Sequence, residues 1–273
     1  MPIETNQILL RIAEALDRMA PPPVSAPDLD NHAAYHWDGS TLSVVANFAP
    51  LPLKLIIGVD RQRDAIAENT RRHAAGFAAH DALLWGARGM GKSALVKSVV
   101  AALQAGGQPV ALVEAAADHC ATLPVLFAEL AQSARRFILF IDDIAFDGDD
   151  HTQRQLRSML EGGAGARPAN VRLYVTSNRR NIVGRTLDEN EAINPRDVAD
   201  DKLALADRFG LKLGFQYPDQ AAFLAMVAAY AAHFGLQWEQ SDALAFAHAR
   251  GGRSGRIAWH YAVELAGRAG VTV

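Results

Sequence analysis

The chain has 273 residues, of which 50% are hydrophobic and 21% are charged, and its formal net charge is -3. A chain with this hydrophobic content can bury a core, so the composition excludes an intrinsically disordered protein. The slightly acidic balance excludes a strongly basic protein that coats nucleic acid. At about 150 residues per domain, the length predicts roughly two domains.

The single cysteine, Cys120, excludes a disulfide framework and a multi-cysteine metal site. No apolar run reaches the roughly 18 to 20 residues that a membrane span needs. The first residues are acidic and polar, whereas a secretory signal has a basic start followed by an apolar block. We therefore expect a cytoplasmic protein without a membrane span.

The first predicted element is an amphipathic helix over residues 4–19, where apolar residues recur at helical spacing. Three consecutive prolines at 21–23 end it, because proline has no amide hydrogen to donate and fixes φ. Residues 25–52 are polar and only weakly periodic, so residues 1–50 are interpreted as a helix followed by an irregular arm. A charged helix is predicted next, over residues 60–75.

Five short apolar runs then alternate with helical stretches. Continuous apolar runs of this kind are typical of parallel strands that are buried on both faces of a sheet. Repeated β–α units predict an α/β fold with a doubly wound, five-stranded parallel sheet. The runs cover residues 82–85, 110–113, 137–141, 171–175 and 211–215.

The strand pattern stops after Pro218, and the remainder of the chain is predicted to be helical. Helices are expected over residues 219–234, 241–249 and 255–268, with breaks at the glycines between them. The predicted organisation is therefore an arm over residues 1–50, an α/β core over 51–215 and a small all-helical domain over 216–273.

The strongest local signal is the octapeptide GARGMGKS, which matches the phosphate-binding pattern G-x-x-x-x-G-K-[ST] at every position. Its glycines let successive backbone amides point at a phosphate, and the positive end of the following helix adds to that field. Lys92 is expected to reach the β- and γ-phosphates, and the Ser93 hydroxyl to ligate Mg²⁺. A predicted strand before the loop and a predicted helix after it favour this interpretation over a simple glycine-rich turn. ATP and Mg²⁺ are thus the expected cofactors, and the predicted nucleotide-binding residues of this segment are Gly86, Ala87, Arg88, Gly89, Met90, Gly91, Lys92, Ser93 and Ala94.

The second half of the site is predicted at the end of the third apolar run, where Asp142 and Asp143 follow FILFI. A buried strand that ends in carboxylates places Asp142 beside the phosphate loop, where it can hold Mg²⁺ through water. Asp143 is then placed to orient or deprotonate an attacking water. The alternative is that the two acidic residues simply end a strand at its solvated edge.

With these motifs in place, the chain resembles an AAA+ ATPase over residues 55–260. The segment LIIGVD is similar to the one that packs on adenine in that superfamily, so Ile57 and Gly58 are expected to contact the nucleotide. The strand end VTSN matches the polar sensor of the γ-phosphate, which assigns that role to Asn178. DRFG resembles the position of an arginine finger, Arg208, that acts on a neighbouring subunit, and Gly255-Arg256 resembles the sensor arginine of a helical lid. The strings LLWGARGMGKSALVK, FIDD, TSNRRN, LADRFGL and GRSGRIAWH also look like an uncharacterised bacterial family of predicted AAA+ ATPases.

Each of these assignments has an alternative. Asn178 is also a residue type that caps turns. Arg208 can instead be a surface ion-pair partner of Asp207 or Asp201, which contributes little stability. Arg253 competes with Arg256 for the sensor role, and either can lie on a solvated helix face.

The chain departs from most AAA+ hydrolases at Asp143, where the superfamily usually has glutamate. The shorter side chain holds its carboxylate about 1.5 Å back, and a misplacement of about 1 Å can slow a reaction on the order of a hundredfold. Slow or partner-stimulated hydrolysis is therefore expected.

The resemblance implies in-line attack of water on the γ-phosphate, with conformational changes that remodel a protein or nucleic-acid client. It also implies a homo-oligomer that forms on ATP binding. Two other classes of function remain at this point. One is an ATP-dependent switch or loader with little intrinsic hydrolysis, and the other is a small-molecule phosphotransferase, which has no need of an arginine finger.

Overall fold

The computed structural model describes residues 2–19, 27–144, 150–161, 167–178 and 205–272. Asp201 and the arginine pair at 179–180 lie outside this part of the chain. The helices are α1 (Pro2–Met19), α2 (Asp60–Ala74), α3 (Lys92–Ala105), α4 (Leu123–Leu130), α5 (Asp150–Glu161), α6 (Gln220–Phe234), α7 (Gln240–Ala249) and α8 (Gly255–Ala269). None of the helices described combines the length and the apolar character that crossing a membrane requires.

The described strands form one sheet of seven, in the order β2-β1-β4-β5-β6-β3-β7. The hairpin of β1 and β2 is antiparallel, and every other neighbouring pair is parallel. The sheet thus has the mostly parallel α/β architecture that the sequence predicted. The strands are β1 (Ala34–Trp37), β2 (Leu42–Val44), β3 (Ala82–Gly86), β4 (Val110–Ala115), β5 (Arg136–Ile141), β6 (Val171–Ser177) and β7 (Leu211–Phe215).

The five predicted strands are confirmed as β3 to β7, but the predicted count of five is wrong. The two further strands come from the segment that was interpreted as an irregular arm. There β1 pairs in parallel with β4, with Tyr35 opposite Val113, and so extends the sheet by a hairpin. Tyr35 and Trp37 are fully buried while His36 between them is exposed, which is the alternation of a strand at a core.

Both faces of the central strands are buried, and this explains their continuous apolar sequences. Along β5, Ile138 and Phe140 belong to the core on one face, whereas Phe137, Leu139 and Ile141 belong to the core on the other. Because successive side chains of a strand point to opposite faces, a strand that is covered on both sides needs apolar residues at consecutive positions.

The three helices at the carboxyl end occur where the sequence predicted helices. Asp219 caps α6 by accepting a hydrogen bond from the Ala222 amide at 2.8 Å, and Ser254 caps α8 by accepting one from the Ile257 amide at 3.2 Å. These helices pack on the same core as one face of the sheet, through residues such as Phe223 of α6 and Ala258 of α8. This packing brings α6 and α8 beside the turn that follows β3.

Candidate functional site

The loop over residues 86–93 connects β3 to α3, as its motif predicted. Gly86 has φ of +116°, and a Cβ at this position would lie 2.2 Å from the carbonyl oxygen of Phe215 on β7. The next residue, Ala87, donates its amide to the same oxygen at 2.8 Å. A side chain at Gly86 is therefore incompatible with the contact that joins the loop to β7. Gly91, also at positive φ, then starts α3, whose first amides face the loop.

A cavity of about 410 Å³ opens over this loop. The carboxyl ends of β5 and β6 and the start of α8 also line it, as expected for a site at the carboxyl edge of a parallel sheet. Its residues from the predicted site are Ile57, Arg88, Gly89, Met90, Gly91, Lys92, Ser93, Ala94, Asp142, Asp143, Asn178 and Arg256.

Three predicted nucleotide-binding residues line a neighbouring cavity of about 880 Å³ instead, namely Gly58, Gly86 and Ala87. Gly58 is next to Ile57 but packs against α6, where its Cβ would lie 3.1 Å from the terminal methyl of Met226. Gly86 and Ala87 turn their carbonyl oxygens toward Lys92, so they reach the site through the lysine.

Lys92 is 5% exposed and lies at the centre of the site. Its Nζ donates to the carbonyl oxygens of Gly86 at 2.9 Å and Ala87 at 3.0 Å, and to Oδ1 of Asn178 at 2.9 Å. Burial lowers the pKa of this ammonium, and the nearby carboxylates of Asp143 and Asp142 oppose that shift. The buried cation is held by neutral oxygens, which leaves it available to an anionic ligand.

Asp142 and Ser93, the two predicted metal ligands, are in direct contact. The Ser93 hydroxyl donates to Oδ1 of Asp142 at 2.6 Å, and the Thr176 hydroxyl donates to the same oxygen. Hydroxyl and carboxylate oxygens suit Mg²⁺, which usually takes few protein ligands and completes its shell with water and phosphate oxygens. Among the described residues there is no cluster of three or more His, Cys, Asp or Glu that could hold a metal ion.

Asp143 has a left-handed backbone, with φ of +55°, and is the one described non-glycine residue at positive φ. Its amide donates to the Thr176 hydroxyl at 2.7 Å, and its Oδ1 accepts from the side-chain amide of Asn178 at 2.6 Å. Aspartate tolerates this conformation better than most residues, and outliers of this kind cluster at functional sites. The side chain is exposed to the cavity, where a general base has to meet its water.

Asn178 connects the lysine to the carboxylate, because its oxygen accepts from Lys92 while its nitrogen donates to Asp143. The turn-capping alternative does not account for these two side-chain contacts. The residues that follow Asn178, from 179 onward, lie outside the described residues.

Arg256 lies in the first turn of α8, whereas Arg253 precedes the helix. The Arg256 amide donates to the carbonyl oxygen of Gly89 at 2.9 Å, and its side chain lines the cavity over the loop. Arg253 lines a different cavity and contacts Gln220 at 3.5 Å. The geometry therefore favours Arg256 over Arg253 at the nucleotide site.

Arg208 lies in the turn before β7 and is half-buried, and it is not among the described residues that line the cavity over the loop. Its neighbour Asp207 forms an ion pair with Lys212 at 2.7 Å. The guanidinium of Arg208 is thus not brought to the site of its own chain.

Six residues of the cavity wall were not among the predicted site residues, namely Leu51, Ile56, Met226, Tyr230, Gly255 and Trp259. Met226 and Tyr230 belong to α6, and Trp259 belongs to α8. The ring of Trp259 packs edge-on against Tyr230 with the centroids 5.4 Å apart. The sequence signal that could have identified Trp259 is its spacing from Arg256. It follows Arg256 by three residues and so lies on the same face of a helix.

Residues 30–269 match the protein family described as "Protein of unknown function (DUF815)". No curated protein matches the sequence. Similar solved structures include the Holliday junction branch migration motor RuvB of Thermotoga maritima, with 17% identity and a TM-score of 0.51 over 82% of this chain and 68% of that chain. The ORC1 protein of Aeropyrum pernix in complex with DNA has 18% identity and a TM-score of 0.55, over 82% of this chain and 66% of that one.

The closed state of Hsp104 with ATPγS and FITC casein is also similar, with 20% identity and a TM-score of 0.50 over 78% of this chain and 38% of that one. At these identities the likeness concerns the fold. It agrees with the α/β fold that the resemblance of the sequence motifs predicted.

Proposed function

The chain belongs to the DUF815 family of proteins of unknown function, and we propose that it binds ATP with Mg²⁺ and hydrolyses it to drive conformational remodelling of a macromolecular partner. The observation that carries this proposal is one hydrogen-bonded chain across the cavity, from Lys92 through Asn178 to Asp143. It joins the residue that would bind the γ-phosphate to the residue that would activate the water.

The proposed reaction is in-line attack of water on the γ-phosphate. Lys92 would exchange its backbone oxygens for phosphate oxygens and so neutralise charge on the transferred group. Asp143 would accept the proton of the water, and Asn178 would orient it. Ser93 and Asp142 are the residues that would hold Mg²⁺, which supplies further neutralisation of the phosphate charge when bound.

Hydrolysis is coupled to movement through α8 in this proposal. Arg256 lines the cavity with its side chain, and its amide is bonded to Gly89 of the phosphate loop. A phosphate that draws the guanidinium inward would therefore shift the start of α8 relative to the loop. The helices of residues 216–273 would act as a lid whose position reports which nucleotide is bound.

The site is proposed to be completed by a second subunit. Arg208 does not line the cavity of its own chain, and its position before the last strand is that of an arginine finger in the resembling superfamily. An arginine supplied by a neighbour stabilises charge in the transition state and can raise the rate about 10³-fold or more. ATP binding would therefore favour a homo-oligomer.

A second candidate function is an ATP-dependent switch or loader with little intrinsic hydrolysis. The observation that favours it is Asp143, whose short side chain is bonded to Asn178 and held by a left-handed backbone. A carboxylate restrained in this way stands further from the water than a glutamate would. A partner that reorients it would then set the rate of hydrolysis.

The deciding experiment is ATP turnover per protomer with Mg²⁺ over a wide range of protein concentration, with nucleotide affinity measured in parallel. Turnover that rises with concentration supports an ATPase completed between subunits. Flat, negligible turnover with retained ATP binding supports the switch. Loss of both binding and turnover in the intact protein contradicts the two proposals together.

Subunit complementation tests the role of Arg208 directly. Arg208→Ala and Lys92→Ala should each be inactive alone. The first lacks the arginine finger, and the second lacks the lysine that would bind the phosphate. In mixed oligomers the Lys92→Ala subunit would supply Arg208 to the intact cavity of its neighbour. Recovered activity on mixing supports action in trans, and its absence in a mixture that demonstrably forms mixed oligomers contradicts it.

A further inference from the structure

A second cavity, of about 1070 Å³, lies beside the nucleotide cavity and is called the arginine cavity below. Its wall runs from the phosphate loop, across the segment before α6, to α7 and the connection into α8. Arg88, Gly89 and Arg256 line both cavities, so the two are neighbours across the phosphate loop. Apart from Arg253, the alternative considered for the sensor role, the remaining residues of this wall have no role assigned by a sequence motif.

The arginine cavity is lined by cations without a compensating acid. Four arginines, Arg88, Arg250, Arg253 and Arg256, line it together with His248, and no Asp or Glu is among the described residues of its wall. Guanidinium groups stay protonated at any ordinary pH, so this concentration of like charge favours the binding of an anion.

Two arginines of this cavity, Arg250 and Arg253, differ from the arginines that are paired with carboxylates elsewhere in the described part of the chain. Ion pairs with a carboxylate are formed by Arg63, Arg71, Arg72, Arg167 and Arg268. Arg250 instead stacks on the ring of Phe246, with Cζ 3.9 Å from the ring centroid, and Arg253 contacts the neutral side chain of Gln220 at 3.5 Å. Neither contact neutralises charge, so both guanidinium groups remain available to an anionic partner.

Apolar side chains form another part of the wall. The wall includes Leu244 and Ala247 of α7 and Ile257 of α8, together with Tyr217, which is 49% exposed. A concave surface with apolar residues inside and charged residues around them has the composition of a protein-recognition site.

We propose that the arginine cavity binds an acidic peptide segment of a partner protein, one whose aliphatic side chains alternate with carboxylates. The carboxylates would pair with Arg250 and Arg253 in bidentate geometry, and the aliphatic groups would cover Leu244 and Ile257. A nucleic acid fits less well, because single strands are bound by successive stacking platforms and Tyr217 is the one aromatic residue among the described residues of the wall.

This site deepens the proposed function by naming the class of partner, and it rests on that function only for the consequence of binding. Arg88 and Arg256 face both cavities, so a bound carboxylate would draw the same guanidinium groups that a phosphate draws. Peptide binding itself requires no hydrolysis. Absence of peptide binding would therefore leave the ATPase proposal intact, and absence of ATP hydrolysis would leave the peptide-binding proposal intact.

The probe is a fluorescein-labelled dodecapeptide, Glu-Leu-Asp-Gly repeated three times, titrated with the full chain and followed by fluorescence anisotropy at low salt. We expect saturable binding that weakens as salt is added. Arg250→Gln/Arg253→Gln should weaken it at least about tenfold, because two charge-assisted pairs are lost. The matched control, Arg11→Gln/Arg18→Gln, removes two exposed arginines of α1 and should leave the affinity unchanged.

Retained binding of a fluorescent ATP analogue by the Arg250/Arg253 variant shows that it is folded, since neither residue lines the nucleotide cavity. Three results would overturn the proposal. One is absence of peptide binding, or an equal loss of peptide affinity in both double variants. Another is equal binding of the neutral peptide Gln-Leu-Asn-Gly repeated three times. The last is tighter binding of a 12-nucleotide oligodeoxythymidine, or of inorganic polyphosphate, at the same salt concentration.

Discussion

Asn178 donates its side-chain amide to Oδ1 of Asp143 at 2.6 Å, while its own oxygen accepts from Lys92 at 2.9 Å. The proposed water-activating carboxylate and the proposed phosphate-binding cation therefore share one neutral residue. In the proposed mechanism, a γ-phosphate that engages Lys92 would compete with Asn178 for the ammonium, and this competition would free the side-chain oxygen of Asn178 to accept a hydrogen bond from a water beside Asp143. Nucleotide binding and preparation of the base would then be parts of one rearrangement.

Substitution of Asn178 separates catalysis from binding. Asn178→Ala removes the group that orients the water, and loss of one such hydrogen-bonding group typically costs about 10²-fold in kcat. The affinity for ATP should not fall, because the phosphate loop keeps its residues and Lys92 loses a competitor for its ammonium. Steady-state turnover and equilibrium nucleotide binding check the two quantities, and an unchanged kcat would contradict the assignment.

Lengthening Asp143 tests whether its short side chain limits the rate. Asp143→Glu advances the carboxylate by about 1.5 Å, and we expect kcat to rise about tenfold, since misplacement near 1 Å is costly. Glutamate tolerates positive φ less well, so a stability loss of about 1 kcal/mol should accompany the gain. Asp143→Gln is the matched control that keeps the length without the base and should be inactive. A glutamate variant that turns over no faster removes the reason to expect slow intrinsic hydrolysis.

Local sequence patterns were sufficient to predict the strands of the central sheet, because burial on both faces requires continuous runs of apolar residues. They were insufficient for β1 and β2, which are four and three residues long in a polar, proline-bounded segment. They are held through β1, which pairs with β4, a strand more than 60 residues further along the chain, and β2 pairs with β1 in turn. The alternation of buried Tyr35 and Trp37 around exposed His36 was the one local sign of a strand.

The residues of the site also fall into those that the sequence predicted and those that it did not. The residues of the phosphate loop, Asp142 and Asn178 lie at strand ends, and the motif spacing alone places them. Met226, Tyr230 and Trp259 line the cavity because of two close contacts between distant segments. In these contacts α6 packs on Gly58, where a Cβ would meet Met226, and the start of α8 packs on Gly89 of the loop, where a Cβ would meet Ser254. Such contacts between distant segments depend on packing that no window of the sequence contains.

Two glycine substitutions provide a sharp contrast in stability. In Gly86→Ala the new methyl would lie 2.2 Å from the Phe215 carbonyl oxygen at a φ of +116°, so we expect a loss of about 3 kcal/mol or more. Gly267 is exposed within α8 and nothing lies within 4 Å of the added methyl, so Gly267→Ala should add about 0.5 to 1 kcal/mol. Urea unfolding measures both, and a Gly86→Ala protein as stable as the parent would contradict the close contact of the loop with β7.

Acid should destabilise the fold through His73, a buried residue of α2 whose Nε2 lies 3.1 Å from the carbonyl oxygens of both Phe137 and Asn170. Burial lowers its pKa to about 4 from the ordinary value of 6.5, and the nearby charges of Arg172 and Arg136 act in the same direction. The unfolded chain therefore binds a proton at this site near pH 6.5, whereas the folded protein binds it only near pH 4. The free energy of unfolding should fall as the pH drops through this window, by up to about 3 kcal/mol from this residue.

His73→Gln removes this contribution, because glutamine can still donate to the carbonyl oxygens but does not titrate. The variant should be less stable than the parent near neutral pH, since the new side chain packs less well, yet its stability should depend less on pH between 6.5 and 4. Exposed His260, on α8, is the matched control, and His260→Gln should keep the parental dependence. Urea unfolding at a series of pH values gives the slopes. Equal slopes for His73→Gln and the parent would mean that His73 binds its proton as readily in the folded protein as in the unfolded chain, which would contradict a neutral His73 buried between α2 and β5.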